Sequence, residues 1–143
     1  MKEAFVWTFK EGLLSPMAHD LRLKVTQFEV EESKATFDAS SLKVDWVSGA
    51  LPSPFYGEIE SAIRKEVLKS AKFPQIVFTA TEVTETEIRG DLTLCGVTRP
   101  IRCPRNGNQI DYELDVRDFE MKPYSAVLGT LKVKPVVKIQ VKW

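Results

Sequence analysis

Alternation of apolar and polar residues is the dominant pattern along the chain. It is clearest near the C-terminus, where Val137, Ile139 and Val141 alternate with lysine and glutamine. A period of two places successive side chains on opposite faces of a β-strand, so each such stretch predicts a strand with one apolar face. The pattern predicts eight antiparallel strands, at residues 5–9, 21–30, 33–47, 75–83, 88–95, 99–104, 110–116 and 137–143.

Two of these predicted strands are long and change parity partway. The apolar set slips by one residue near Thr26 and Gln27 in the second strand, and again at Ser40 and Ser41 in the third. A one-residue bulge absorbs such a slip and bends the strand. Long bent strands suit a closed antiparallel barrel, but alternation alone leaves an open two-sheet sandwich as the competing architecture.

One stretch has the period of a helix instead. Ile59, Ile63 and Val67 fall on one face of a predicted helix over residues 58–72, with acidic residues at its start and lysines at its end. The expected fold class is therefore all-β with one helix. A lone amphipathic helix among strands is expected to close one end of a barrel or to pack across its outside.

A predicted hairpin in the middle of the chain has no catalytic group at its tip. Leu92 and Leu94 are expected to face the barrel interior, and Thr93 and Cys95 to face outward, because successive strand residues alternate between faces. Gly96 breaks the alternation and is expected to be required by the turn.

Length and charge restrict the class of protein. The 143 residues fit a single domain, residues 1–143, large enough for one sizeable core or one enclosed cavity. Twenty basic and twenty acidic side chains cancel, so no net field attracts nucleic acid or an anionic membrane surface. No segment approaches the roughly 20 apolar residues that a membrane-spanning helix needs.

The N-terminal residues and the cysteines bear on the compartment. The first ten residues lack the apolar segment of a secretory signal peptide, which predicts a cytoplasmic protein, or a periplasmic one if the chain is a processed form. Cys95 and Cys103 do not form a C-x-x-C pair and are expected to remain reduced and buried.

Residues able to support catalysis or metal binding are few. His19 is the only histidine, and one imidazole without a second histidine or a cysteine cluster makes a poor metal site. A structural role near the start of a strand is the simpler interpretation of His19, and an acid or base role on a hydrophobic substrate is the weaker one. Nucleophile turns and glycine-rich phosphate loops are absent from the sequence. The sequence therefore predicts a protein without catalytic activity, metal or cofactor.

Several motifs resemble those of one known family. Residues 90–100, GDLTLCGVTRP, are similar to the signature G-x-L-T-hydrophobic-x-G-V-T-Lys/Arg-P of the YceI-like family of polyisoprenoid-binding proteins. Residues 73–78, 38–42 and 118–121 resemble three shorter motifs of the same family, in the same order and spacing. Two positions depart from the family pattern: Glu120 stands where glycine is usual, and Cys95 where a histidine or another polar residue is frequent.

The resemblance implies a lipocalin-like, eight-stranded antiparallel barrel that holds a long apolar chain, such as a polyprenyl lipid or a fatty-acid-like amide. The expected function is that of a non-enzymatic carrier for a long-chain isoprenoid or similar lipid. The alternative is a barrel plugged by its own aromatic residues, with a protein partner on its outer surface. A homodimer is possible on either interpretation.

The large apolar residues either fill the core or line a cavity. As a set they exceed what plugging a narrow barrel requires, which favours a cavity. The candidates for its lining are Phe5, Trp7, Phe9, Phe28, Phe37, Trp46, Phe78, Leu92, Leu94 and Tyr112. The candidates for binding a diphosphate head group at the mouth are Arg22, Arg64, Arg99 and Arg102.

Overall fold

Strands account for most of a computed structural model that describes residues 2–11, 20–49, 54–123, 125–126 and 131–143. The strands within these ranges are β1 (Glu3–Thr8), β2 (Leu21–Val25), β3 (Phe28–Val30), β4 (Lys34–Asp38), β5 (Leu42–Val47), β6 (Gln75–Val83), β7 (Glu87–Leu94), β8 (Val97–Asn106), β9 (Gln109–Asp115), β10 (Ser125–Ala126), β11 (Leu131–Lys132) and β12 (Val136–Lys142). One helix, α1 (Pro54–Ala62), continues into a π-helical turn (Ile63–Val67), and a 3-10 turn spans Val116–Phe119. No helix in the described ranges is long and apolar enough to cross a membrane.

Ten of the described strands form one antiparallel sheet in the order β3-β4-β6-β7-β8-β9-β12-β1-β2-β5, and β10 pairs with β11. The two strands at the ends of this order belong to the same hairpin. β2 and β3 are halves of one bent strand, β4 and β5 are halves of the next, and β2 pairs with β5 while β3 pairs with β4. The sheet therefore curls until its ends meet in this hairpin, which gives a barrel.

The count of ten differs from the predicted eight because two predicted strands are interrupted. The second strand breaks at Thr26 and Gln27, and the third breaks between Asp38 and Leu42. Both breaks coincide with the predicted changes of parity. All eight predicted strands are otherwise present, and the class of the fold is as predicted.

A buried serine organises the bend where these two breaks face each other. The hydroxyl of Ser41 accepts a hydrogen bond from the Gln27 amide at 3.1 Å and donates one to the Asp38 carbonyl at 2.8 Å. The Ser41 carbonyl accepts from the amide and the hydroxyl of Thr26, at 3.1 and 2.7 Å. The Asp38 carboxylate accepts from the amide and hydroxyl of Ser40 at 2.9 and 2.6 Å. These bonds satisfy backbone groups that the interrupted strands leave without a ladder partner.

The helix lies at one end of the barrel, and its boundaries differ from the predicted 58–72. It begins at Pro54, because the fixed backbone angle of proline suits the first turn of a helix. Its helical turns end at Val67, and soon afterwards Lys69 adopts a left-handed conformation with φ of 49°. Ile63 and Leu68 are buried in the core, so this segment closes what we call the helix end.

The opposite end of the barrel, the turn end, is formed by three hairpin connections. They join β3 to β4, β6 to β7 and β8 to β9, at residues 31–33, 84–86 and 107–108. The strand registers place these three connections together, away from the helix.

The hairpin of β7 and β8 is tighter than the sequence indicates. Cys95 and Gly96 alone form its turn, with φ of 49° and 77°, and Val97 already belongs to the next strand. Cys95 was predicted to be a strand residue that faces outward, but it lies in the turn. Its half-buried thiol donates to the Leu68 carbonyl at 3.2 Å. Leu92 and Leu94 are buried, 7% and 6% exposed, and face inward as predicted. A side chain at Gly96 would lie 2.7 Å from the ring of Phe73.

Ser41→Ala is expected to lower the free energy of unfolding by about 1–3 kcal/mol, because the Gln27 amide would lose its acceptor inside the bend. Urea denaturation of the variant and the parent protein measures the change. The adjacent Ser40→Ala is the matched control and should cost less than about 0.5 kcal/mol, since Ser40 is exposed. Equal losses would contradict the role of the buried hydroxyl.

Gly90→Ala is expected to destabilise the protein by about 1–3 kcal/mol. Its new methyl group would press against the Thr79 carbonyl and lie 2.6 Å from the ring of Phe78. Gly57→Ala in α1 is the control: no atom lies within 4 Å, and alanine should stabilise the helix by roughly 0.5–1 kcal/mol. Thermal unfolding should therefore shift in opposite directions, and a neutral Gly90→Ala would show that the strands there separate easily.

Candidate functional site

An apolar cavity of about 340 Å³ occupies the interior of the barrel. Inward-facing residues from all ten strands of the large sheet contribute to its wall. β8, with 10 residues, runs roughly 33 Å at about 3.3 Å per residue, and a strand tilt near 40° makes the barrel about 25 Å high. The volume is within the roughly 300–1,000 Å³ of ligand pockets.

The two ends of the cavity differ. At the helix end the lining includes the buried apolar residues Ile63, Leu68 and Met121 and the exposed Lys134. At the turn end the lining includes the exposed residues 31–34 and Val83, which is 52% exposed. The cavity therefore meets solvent at the turn end, which we call the mouth.

Polar groups inside the cavity are few and uncharged. Thr8 is only 9% exposed, and its hydroxyl has no hydrogen-bond partner among the described residues. Burial raises the pKa of the Cys103 thiol to about 11. Burial, and then the neighbouring Cys103 and Asp118, raise the pKa of Tyr112. The Cys103 thiol and the Tyr112 hydroxyl therefore stay protonated near pH 7, and the Thr8 hydroxyl does not ionise. The middle of the cavity consequently suits an uncharged chain.

The charged residues of the lining lie at its ends. Lys134 is near the helix end, while Glu31, Glu32 and Lys34 are at the mouth. Arg105 also lines the mouth. It lies two residues after Cys103 and therefore on the inward face of β8.

Two turns hold the guanidinium of Arg105 in place. Its Nε donates to the Gly107 carbonyl at 2.8 Å, and Nη1 donates to the Thr84 carbonyl at 3.1 Å. The guanidinium carbon lies 5.6 Å from the centre of the Trp143 ring. Sequence reasoning missed this residue, although Ile101, Cys103 and Arg105 share one parity, a signal that could have placed the arginine inside.

Five of the ten residues predicted to line the cavity face it: Phe37, Phe78, Leu92, Leu94 and Tyr112. Phe5 borders the cavity, but its ring contacts Trp7 and Arg22 on the outer face of the sheet. Phe28 stacks on Phe37 near the bend, with ring centroids 5.5 Å apart, and packs against the core. The remaining three, Trp7, Phe9 and Trp46, lie outside the cavity, contrary to the prediction.

Trp7 and Phe9 lie on the outer face of the barrel, whereas the prediction placed them inside. Ala4 and Thr8 are the buried residues of this strand, whereas Trp7 pairs with the outward-facing Arg22 and Lys138. Both faces of β1 are apolar, so alternation alone gives no direction. Small side chains fit the interior of a narrow barrel, and the aromatic rings cover its outside.

A bulge explains the position of Trp46. The pairing of β2 with β5 shifts between Arg22 and Leu23, so Asp45 is an extra residue on β5. The bulge reverses parity, and Val47 rather than Trp46 faces inward. Trp46 is consequently 48% exposed.

None of the four predicted head-group arginines is on the cavity wall. Arg22 lies in β2, Arg99 and Arg102 lie in β8, and Arg64 lies in the π-helical turn after α1. Arg22 forms an ion pair with Asp45, and Arg102 forms one with Glu87 at 3.4 Å. Arg99 donates to the backbone of the 3-10 turn at 2.9 Å. Arg22 and Arg102 face outward, and Arg64 and Arg99 lie near the helix end, so none of the four reaches the mouth.

The described residues include no cluster of histidine, cysteine, aspartate and glutamate that could hold a metal ion. His19, the candidate acid or base, lies outside the described residues. The motif residues that the structure describes serve the fold: Gly90 lies under Phe78, Gly96 lies against Phe73, and Arg99 ties β8 to the 3-10 turn.

Solved structures share this fold at low sequence identity. BcnA of Burkholderia cenocepacia is 14% identical, with a TM-score of 0.62 over 98% of this chain and 93% of that one. A polyisoprenoid-binding domain from Saccharophagus degradans, implicated in plant cell wall breakdown, is 8% identical, with a TM-score of 0.64 over 98% and 90%. A YceI protein of Campylobacter jejuni is 13% identical, with a TM-score of 0.50 over 79% and 76%.

A search of curated proteins found no match to the chain. The model of the YceI-like domain, in contrast, matches residues 11–143, nearly the whole sequence. The structural neighbours, which include a YceI protein and a polyisoprenoid-binding domain, agree with that match. The chain therefore belongs to the YceI-like domain family.

Proposed function

We propose that this protein is a non-enzymatic carrier, or sequestering protein, that holds a long-chain isoprenoid or a similar apolar lipid inside its barrel. The observation that supports this most directly is the apolar cavity of about 340 Å³ with a mouth at the turn end. Each Å² of apolar surface removed from water contributes roughly 25 cal/mol, so a long chain lying in this cavity would be held mainly by hydrophobic burial.

The chemistry of the wall supports the same conclusion. Neutral side chains surround the middle of the cavity, and charged side chains lie at its ends. A lipid chain needs such an interior, whereas a reacting substrate needs positioned acids, bases or nucleophiles. The polyisoprenoid-binding description of the Saccharophagus degradans domain also favours a lipid ligand.

The plugged barrel is the less favoured alternative. Ala4, Val6 and Thr8 occupy the inward face of β1, while Trp7 and Phe9 point away from the interior. These smaller inward side chains leave open space where aromatic rings would have filled it.

Native mass spectrometry of gently purified protein, followed by solvent extraction, tests the lipid proposal. We expect a bound long-chain apolar compound. Ala80→Trp places an indole in the cavity and should lower the fraction of protein with bound lipid by about tenfold or more, because the ring takes up space that the chain needs. Thr79→Trp, at the neighbouring exposed position, is the control and should retain the ligand. A protein that is reproducibly empty and binds no polyprenyl, fatty acyl or quinone compound would overturn the proposal.

Thr8→Val is expected to raise the free energy of unfolding of the lipid-free protein by about 1 kcal/mol, because valine keeps the shape and removes an unpaired buried hydroxyl. Denaturant unfolding measures the change. Thr26→Val, the control, removes a hydroxyl that donates to the Ser41 carbonyl at 2.7 Å and should destabilise the protein. A loss of stability in Thr8→Val would mean that the hydroxyl has a partner after all.

A further inference from the structure

Arg105 stands apart from the rest of the inward face of β8. Ile101 and Cys103 occupy the two preceding inward positions, so the guanidinium lies where an apolar wall reaches the mouth. Carbonyls of two separate turns, at Thr84 and Gly107, accept from Nη1 and Nε. The side chain is thus already ordered, and a ligand that binds it would lose little further side-chain entropy.

The charge of Arg105 is not neutralised within the described part of the chain. None of its nitrogens lies within 4.0 Å of a described carboxylate oxygen, and Nη2 makes no hydrogen bond with a described residue. Four other arginines of the same barrel do form ion pairs with carboxylates: Arg22, Arg89, Arg102 and Arg117. Arg64, Arg99 and Arg105 have no carboxylate partner among the described residues, and of these three Arg105 alone lines the cavity.

The two sides of the mouth carry different charges. Glu31, Glu32 and Lys34 lie at the connection of β3 and β4, which β6 and β7 separate from β8 in the sheet. The net charge of these three side chains is negative. A negative head group would be repelled on that side and attracted on the side of Arg105. The charge distribution thus favours one position for an anion.

We propose that Arg105 binds the anionic head group of the ligand, while the apolar chain extends from the mouth into the cavity. The ligand would then be a long-chain amphiphile ending in a carboxylate or a phosphate monoester, rather than a neutral lipid. A charge-assisted hydrogen bond from Nη2, made near an apolar wall, would provide the selectivity. This inference rests on the proposed lipid-binding function.

Displacement of a fluorescent fatty-acid probe tests the inference with four ligands of one chain length: hexadecanoate, hexadecyl phosphate, hexadecanamide and hexadecanol. Arg105→Gln should weaken the two anionic ligands by about 10- to 100-fold, the range for a lost hydrogen bond to a charged group. The two neutral ligands should change by less than about threefold. The ratio of the variant's affinity to the parent's is taken for each ligand separately, so the hydration free energy of the free ligand cancels.

Arg102→Gln is the matched control, because Arg102 lies on the same strand but on the outer face, paired with Glu87. It should leave all four affinities unchanged. The carboxylate and phosphate arms separate the two possible head groups: a response in either one supports the inference and names the ligand class.

The contradicting outcomes are distinguishable. If Arg105→Gln weakens acids and neutral ligands equally, or none of them, Arg105 only shapes the mouth and the inference fails while lipid binding stands. If the parent protein binds none of the four but retains a polyprenyl or quinone compound in native mass spectrometry, the inference fails and the proposed function stands. If it retains no such compound either, the proposed function fails as well. Should Arg105→Gln not fold, salt titration of the parent protein replaces it: added salt must weaken the anionic ligands and spare the neutral ones.

Discussion

The bend in one hairpin is the constraint on which the barrel depends. An antiparallel sheet closes only if strands tilt and curve, and here both interrupted strands bend at the same place. The hydroxyl and carbonyl of Ser41 bind backbone groups on either side of the bend, so the chain turns without leaving buried donors unpaired. Because this hairpin supplies both ends of the sheet, the enclosed cavity exists only if the bend forms.

The cavity itself depends on the size of the side chains that face inward. Ala4 and Val6 lie on the inward face of β1, and Gly90 lets the ring of Phe78 lie close to the neighbouring strand. Larger residues at these places would fill the space or force the strands apart. Trp7 and Trp46, which a reading of alternation places inside, instead cover the outer surface, so the protein keeps an interior that a lipid chain could occupy.

The family motifs and the proposed selectivity belong to different parts of the molecule. The motif positions Gly90, Gly96 and Arg99 hold strands and turns together. The mouth is built from hairpin connections, the parts of a fold that most readily differ between relatives. A common barrel with variable mouths would allow one architecture to bind different lipids.

The sequence by itself determined the strands, the helix and the two breaks, because these follow from local periodicity and turn residues such as Gly96. It also determined that Leu92 and Leu94 face inward, since only one face of their strand is apolar. It did not determine the facing of β1, where both faces are apolar, or of Trp46, where a bulge reverses the parity. The position of Arg105 at the mouth required the tertiary structure, because the carbonyls that hold it come from two turns and the wall around it comes from distant strands.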